Sequence, residues 1–83
     1  MKLEISTPQK TLFEGEVCSV QCPSKDGLFQ ILENHAPMVA ILVKGSVKYE
    51  VPGNPTPHFI EVGRGVLQVS NNVVTILTEP TEQ

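Results

Sequence analysis

Four side chains in this sequence have the types that could ligate a soft metal or relay a proton: Cys18, Cys22, His35 and His58. The cysteines stand four apart in the run Val17-Cys18-Ser19-Val20-Gln21-Cys22, which reads as one extended strand. At about 3.3 Å per residue they would share a face yet lie roughly 13 Å apart, beyond the roughly 4.4–6.8 Å between Cα atoms that a disulfide spans. Zinc sites draw their cysteines from tight knuckles and their histidines from an H-x₃₋₅-H spacing, and neither pattern is present. The sequence therefore predicts two reduced thiols packed in or near a core. Pairing either cysteine with His35 as nucleophile and base needs a geometry that sequence does not supply. Glu14 and Glu16 share one face of an extended segment and read as solvated residues of a turn rather than an acid–base pair. Gly63-Arg64-Gly65 lacks the third glycine and helix start of a dinucleotide fingerprint, and no G-x-x-x-x-G-K-[ST] run occurs. No catalytic set, metal site or cofactor is expected, and the inventory points to a protein that touches other proteins.

The elements that would position such contacts are short. With 83 residues the chain has room for one domain. Its formal charge is −3, and its single arginine and five lysines are scattered as Lys2, Lys10, Lys25, Lys44, Lys48 and Arg64. No basic stripe can neutralise a run of phosphates, so nucleic acid is not an expected partner. The longest apolar stretch, 37–43, falls far short of the roughly 20 residues that span a bilayer, and a soluble chain is expected. Met1-Lys2-Leu3-Glu4-Ile5 has neither a secretory core nor an Arg-rich transit pattern, which predicts synthesis in or near the compartment of use.

Valine, isoleucine and threonine supply 22 residues against two alanines, Ala36 and Ala40, while seven prolines and six glycines cut the chain into short pieces. Branching at Cβ suits the pleated sheet and scarce alanine removes the best helix former. The expected fold is all-β, a small two-sheet antiparallel sandwich over 1–78 with a short polar tail at 79–83.

Lys2-Leu3-Glu4-Ile5-Ser6 alternates as a strand with one wet side, and Thr7-Pro8-Gln9-Lys10 turns. Leu12-Phe13 leads into an expected turn at Glu14-Gly15-Glu16. Pro23-Ser24-Lys25-Asp26-Gly27 reads as a loop, 28–32 as a strand, and Glu33-Asn34-His35 as a polar corner. Val47, Tyr49 and Val51 alternate with polar neighbours. Pro52-Gly53-Asn54-Pro55-Thr56-Pro57 reads as an exposed loop. A strand at 58–62 is followed by a break at Gly63-Arg64-Gly65. Asn71-Asn72 then predicts a two-residue hairpin, since asparagine tolerates the positive φ of a type I′ turn.

One segment breaks the alternation: Met38-Val39-Ala40-Ile41-Leu42-Val43 is apolar at every position. Val39, Ile41 and Val43 form a β-branched face that reads as core, leaving Met38, Ala40 and Leu42 on the other. Two readings of that second face stand: loops or neighbouring strands cover it, or another protein does. His35 is likewise either a contact residue or a turn residue.

Taken in order, Leu3-Glu4-Ile5-x-Thr7-Pro8, Leu12-Phe13-Glu14-Gly15-Glu16-Val17, Asp26-Gly27, Leu32-x-x-His35-Ala36-Pro37, Lys44-Gly45 and Val69-x-Asn71-Asn72-Val73-Val74-Thr75-Ile76-Leu77 resemble the ε subunit of the F-type ATP synthase over residues 2–78. The resemblance implies a non-catalytic subunit of the central rotating stalk, bound to the γ subunit and resting on the membrane c-ring. Ion-driven rotation would thereby be coupled to ATP synthesis. Carried over by position, the γ-facing surface would comprise Thr7, His35, Ala36, Pro37, Met38 and Ala40, and the loop Lys25, Asp26, Gly27 and Leu28 would meet the ring. The implied location is peripheral, on the cytoplasmic face of a bacterial plasma membrane, touching it only through the c-ring. The exposed strand would also allow weak self-association of the isolated chain.

Departures from the family pattern are specific. Glu33-Asn34 stand where Pro-Gly is usual, with asparagine able to supply a similar left-handed turn; Gln30 replaces a glycine, Leu28 a common acidic residue, and Gly63-Arg64-Gly65 a glycine pair. Typical members continue into two regulatory helices, and a chain ending naturally at Gln83 would resemble a coupling subunit without them. The competing class is a free-standing adaptor or carrier domain. Biotinyl and lipoyl domains are β-rich and of similar length, but they present a lysine at a hairpin tip, which Asn71-Asn72 lacks. A minimal enzyme, the third class, would need an acid–base pair that the inventory does not supply.

Overall fold

The computed structural model describes residues 1–80. Nine strands run β1 (Lys2–Ser6), β2 (Thr11–Glu16), β3 (Ser19–Ser24), β4 (Gly27–Leu32), β5 (Met38–Leu42), β6 (Gly45–Val51), β7 (Asn54–Val62), β8 (Gly65–Ser70) and β9 (Val73–Thr78), and among the described residues there is no helix. They form a five-stranded sheet in the order β2-β1-β9-β8-β5 and a four-stranded sheet in the order β4-β3-β6-β7. This is the expected sandwich of two sheets, with one departure from antiparallel pairing: β1 runs parallel to β9, in register from Lys2 opposite Val73 to Ser6 opposite Leu77. Of the tail expected at 79–83, residues 81–83 lie outside the described residues.

Alternation along each strand builds the core. In the larger sheet one inward row is Phe13, Ile5, Ile76, Leu67 and Ala40, and the next is Gly15, Leu3, Val74, Val69 and Met38. The opposing sheet contributes Val20, Cys22, Ile31, Val47, Tyr49 and Val62, all buried. Cross-strand neighbours share a face, so each row is a continuous strip of apolar contact. Phe13 and Tyr49 meet across the sheets with ring centroids 4.3 Å apart, and Tyr49 stacks on His58 at 5.2 Å.

Four local expectations are corrected. Glu14-Gly15-Glu16 is no turn but the end of β2, paired with Glu4, Leu3 and Lys2. The loop expected at 52–57 shrinks to a turn at Pro52-Gly53, and β7 begins at Asn54, opposite Val51. Pro55 and Pro57 fit because β7 is an edge strand, where a missing N–H forfeits no ladder bond. The cysteines do not share one strand. Cys22 lies in β3 within the core, whereas Cys18 precedes it, with its N–H and Sγ both directed to the Glu50 carbonyl oxygen at 2.8 and 3.4 Å.

The fourth correction is the orientation of β5. Met38, Ala40 and Leu42 pair with Val69, Leu67 and Gly65, so they point into the sandwich, and Leu42 is fully buried. Val39 and Ile41, read from sequence as core, point outward and are 70% and 68% exposed. Period-two alternation fixes that the two sets oppose one another; register against β8 decides which set faces in.

The asparagine turns are as expected. Asn71 and Asn72 have φ of 53° and 61° between β8 and β9, and Asn34 has φ of 62°. β8 approaches β9 closely at Gly65, where an added Cβ would press on the Leu77 carbonyl oxygen and lie 2.9 Å from Thr78 Cα.

The end of the molecule that carries Asn72 also holds the N-terminal amine. The Met1 ammonium lies 2.8 Å from Glu33 Oε2 and 3.2 Å from Glu16 Oε2. Its bond to Glu33 holds the amine above its ordinary value of 8.0. The same bond, followed by that from Asn72, holds the Glu33 carboxyl below its ordinary 4.5. The amine's contribution is complete below pH 8.0 and lost as pH rises through its raised value, and the carboxylate's is complete above 4.5 and lost as pH falls through its lowered value.

Two outcomes are expected. Gly65→Ala destabilises by about 1–3 kcal/mol, because backbone rather than a pliable side chain must move; urea unfolding measures it, and an unchanged midpoint contradicts the close approach. Glu33→Gln in the 83-residue chain removes the acid-side loss and shrinks the alkaline-side loss. Denaturation midpoints from about pH 3 to about pH 10 read this out, and a profile parallel to wild type refutes the pairing.

Candidate functional site

Two exposed corners lie at opposite ends of β4. The first joins β4 to β5 and carries the chain from the smaller sheet to the larger. Asn34 turns it with its positive φ, and Pro37 biases Ala36 toward extended backbone. His35, Ala36 and Pro37 are all exposed, and His35 Nδ1 lies 2.7 Å from the Ala36 carbonyl oxygen. Asn34 N donates to Asn72 Oδ1 at 2.8 Å, and Asn72 Nδ2 donates to Glu33 Oε1 at 3.1 Å. The corner is thus tied by side chains to the β8–β9 hairpin.

The second corner is the tip between β3 and β4. Ser24 Oγ accepts from Asp26 N at 3.3 Å and donates to the Gly27 carbonyl oxygen at 2.8 Å, while Gly27 takes a φ of 114° that a side chain would resist. Lys25, Asp26, Gly27 and Leu28 are therefore displayed, exposed, on a closed turn. The six residues of β4 separate the two corners by roughly 17–20 Å.

The remaining residues expected at a contact surface are placed differently. Met38 and Ala40 are half-buried and pack on the core from the larger sheet's outermost strand. Thr7 is 8% exposed, and its Oγ1 accepts from Gln9 N and Lys10 N at 3.3 and 3.2 Å, so its hydroxyl closes the β1–β2 turn. Thr7 and His35 also lie at opposite ends of the larger sheet. β1 runs from Lys2, whose N–H bonds to the Asn72 carbonyl oxygen, to Ser6, beside Thr7. The structure does not gather Thr7 with His35; one surface holding both would run the length of the sandwich.

Sequence reasoning missed the apolar patch on the outer face of the larger sheet. Ile41, Val66 and Leu77 are cross-strand neighbours, with Val39 two residues along β5, and all four are exposed. Near Pro8 and Pro80 the patch forms a shallow depression of about 510 Å³. The all-apolar run was the available signal, but it cannot say which face is outward.

Among the described residues no group of three or more His, Cys, Asp or Glu side chains is placed to hold a metal ion. Burial pushes the Cys22 thiol up to about 12, so it is not a thiolate at neutral pH. No helix among the described residues is long and apolar enough to cross a membrane. What the surface offers is two shaped corners and an apolar face, which suits protein contacts.

Comparison with known proteins agrees with this geometry. Residues 1–83 match the family described as ATP synthase, Delta/Epsilon chain, beta-sandwich domain. The ATP synthase epsilon chain of Chlorobium limicola is 45% identical over 78 residues, a match covering 94% of this chain and 88% of that one. In the cryo-EM structure of the Euglena gracilis mitochondrial ATP synthase, OSCP/F1/c-ring, one chain superposes with a TM-score of 0.85 at 21% identity, over 94% of this chain and 49% of that chain. A chain of the Tetrahymena thermophila mitochondrial ATP synthase central stalk and c-ring superposes at 0.79 and 15% identity, over 95% and 63% respectively. The two solved structures share the fold, and the family match with the Chlorobium likeness extends through the sequence: this chain belongs to the ATP synthase delta/epsilon family, as the N-terminal β-sandwich domain of an epsilon subunit.

Proposed function

We propose that this chain is a non-catalytic rotor subunit that links the γ subunit to the membrane c-ring, so that ion-driven rotation of the ring is delivered to the catalytic head. The observation that carries this reading is the pair of exposed, internally bonded corners at opposite ends of one strand of a stiff sandwich. A coupling element needs two separate attachment points that cannot move relative to one another, and a six-residue edge strand paired along its whole length with β3 supplies that. The two solved assemblies that contain chains of this fold, one with F1 and a c-ring and the other a central stalk with its c-ring, support the reading.

In this reading His35, Ala36 and Pro37 meet γ, together with whatever of Met38 and Ala40 a partner reaches at the outermost strand, while Thr7 contributes only at the far end. Val39, exposed two residues beyond Pro37, extends the same contact. Lys25, Asp26, Gly27 and Leu28 meet the polar loops of the ring, with Asp26 the one carboxylate of that tip. The protein would sit peripherally at the cytoplasmic face of a bacterial plasma membrane, held there by the ring.

The direction of β5 determines which substitution tests this. Ala40→Glu would put a carboxylate among core residues and report on folding. Val39→Glu instead faces solvent in the isolated chain and should leave its unfolding midpoint within error while weakening γ binding at least about tenfold, through an unpaired charge at the contact. Titration calorimetry with purified γ measures this, and wild-type affinity for the variant would remove Val39 from the interface. Asp26→Lys is expected to reduce co-purification with detergent-solubilised c-ring while leaving γ affinity unchanged; an equal loss of both would collapse the two-site reading.

A further inference from the structure

We propose that Asn72 and Glu33 are positioning residues for the γ-binding corner: the Asn72 side-chain amide clamps the β4–β5 turn to the tip of the β8–β9 hairpin and presents His35, Ala36 and Pro37 in one arrangement. The inference rests on the proposed γ contact and adds to it the device that shapes the contact.

Residues 33–37 leave one sheet and enter the other. Among the described residues, this segment takes part in none of the backbone–backbone hydrogen bonds that join turns and loops. Its polar attachment is made by side chains instead. Asn72 uses both halves of its amide, accepting from Asn34 N at 2.8 Å and donating to Glu33 Oε1 at 3.1 Å. Glu33 is held in turn through its other oxygen by the Met1 ammonium at 2.8 Å. The base of the clamp is rigid, because the Asn72 carbonyl oxygen accepts from Lys2 N at 3.1 Å and so fastens the hairpin tip to β1. A corner ordered before binding loses less conformational freedom on association.

Backbone geometry alone would explain an asparagine at this turn, and Asn71 is the internal comparison. It has the same left-handed φ, but among the described residues no hydrogen bond joins its side chain to the corner. If turn geometry were the whole role of Asn72, the two positions would be interchangeable. Glycine accepts the positive φ at either place, so Asn→Gly keeps the hairpin and deletes only the side chain.

The test compares Asn72→Gly with Asn71→Gly in the 83-residue chain, by amide hydrogen exchange at Asn34, whose N–H the clamp holds, and by affinity for purified γ. Asn72→Gly is expected to speed exchange at the corner about 3- to 10-fold, the range for losing one or two partly exposed hydrogen bonds, and to weaken γ binding by a similar factor, mostly through faster dissociation. Asn71→Gly changes neither. A second arm exchanges donor and acceptor. Asn72→Asp alone sets two carboxylates against each other and loosens the corner; adding Glu33→Gln restores a donor–acceptor pair and rescues both readouts.

Equal corner exchange in the two glycine variants, or a double variant no tighter than Asn72→Asp alone, overturns the clamp. A loosened corner with unchanged γ affinity overturns its positioning role. Failure of the unaltered chain to bind γ rejects the functional reading and with it the positioning role, while the exchange data still decide whether the clamp exists.

Discussion

The parallel pairing of β1 with β9 is the contact on which the rest of the molecule depends. Among the described residues it is the only junction in the larger sheet between the N-terminal hairpin, β1 and β2, and the strands β9, β8 and β5. No local turn can form it. Joining the ends closes a loop of about 70 residues, at a cost of roughly 4 kcal/mol in chain entropy. Leu3, Ile5, Val74 and Ile76, all fully buried along this junction, contribute about 1.5–3 kcal/mol each and outweigh that closure cost. The sheet can therefore form only when the two ends of the domain meet.

That meeting also decides what stands beside what at the molecule's ends. It brings the first residues of β1 to the β8–β9 tip, so that Lys2 bonds to Asn72 and the Met1 ammonium reaches Glu33. The polar corner preceding His35 is thus braced by groups from the beginning, middle and end of the chain. At the other end the same sheet leaves Ile41, Val66 and Leu77 side by side on its outer face. Both arrangements are products of strand order, since neither set of residues is adjacent in the chain.

Much of the fold is legible in local chemistry. Asn71-Asn72 and Asn34 adopt the left-handed turns their side chains tolerate, the Ser24-to-Gly27 tip is a turn, and Leu3, Ile5, Val47 and Tyr49 fall on buried faces as alternation predicts. The local misreadings share a cause, because each depended on a neighbouring strand. Pro55 and Pro57 look like breakers until β7 is known to be an edge, and Glu14-Gly15-Glu16 looks like a turn until β1 is seen to pair with it. The exposed corners were readable because loops carry their own turn signals; the clamp from Asn72 was not, because Glu33 and Asn72 are 39 residues apart.

By itself the sequence determined the all-β class, most strand positions, the turn types and the family, because these follow from β-branching, period-two alternation, backbone preferences at asparagine and glycine, and the ordered motifs around His35-Ala36-Pro37. Tertiary structure alone decided which face of β5 is buried. Six consecutive apolar residues offer two equally hydrophobic faces, and only pairing Ala40 with Leu67 and Leu42 with Gly65 directs one inward. It alone also made one end of the sandwich a braced corner, since that required three distant segments to arrive within hydrogen-bond distance, which no local preference encodes.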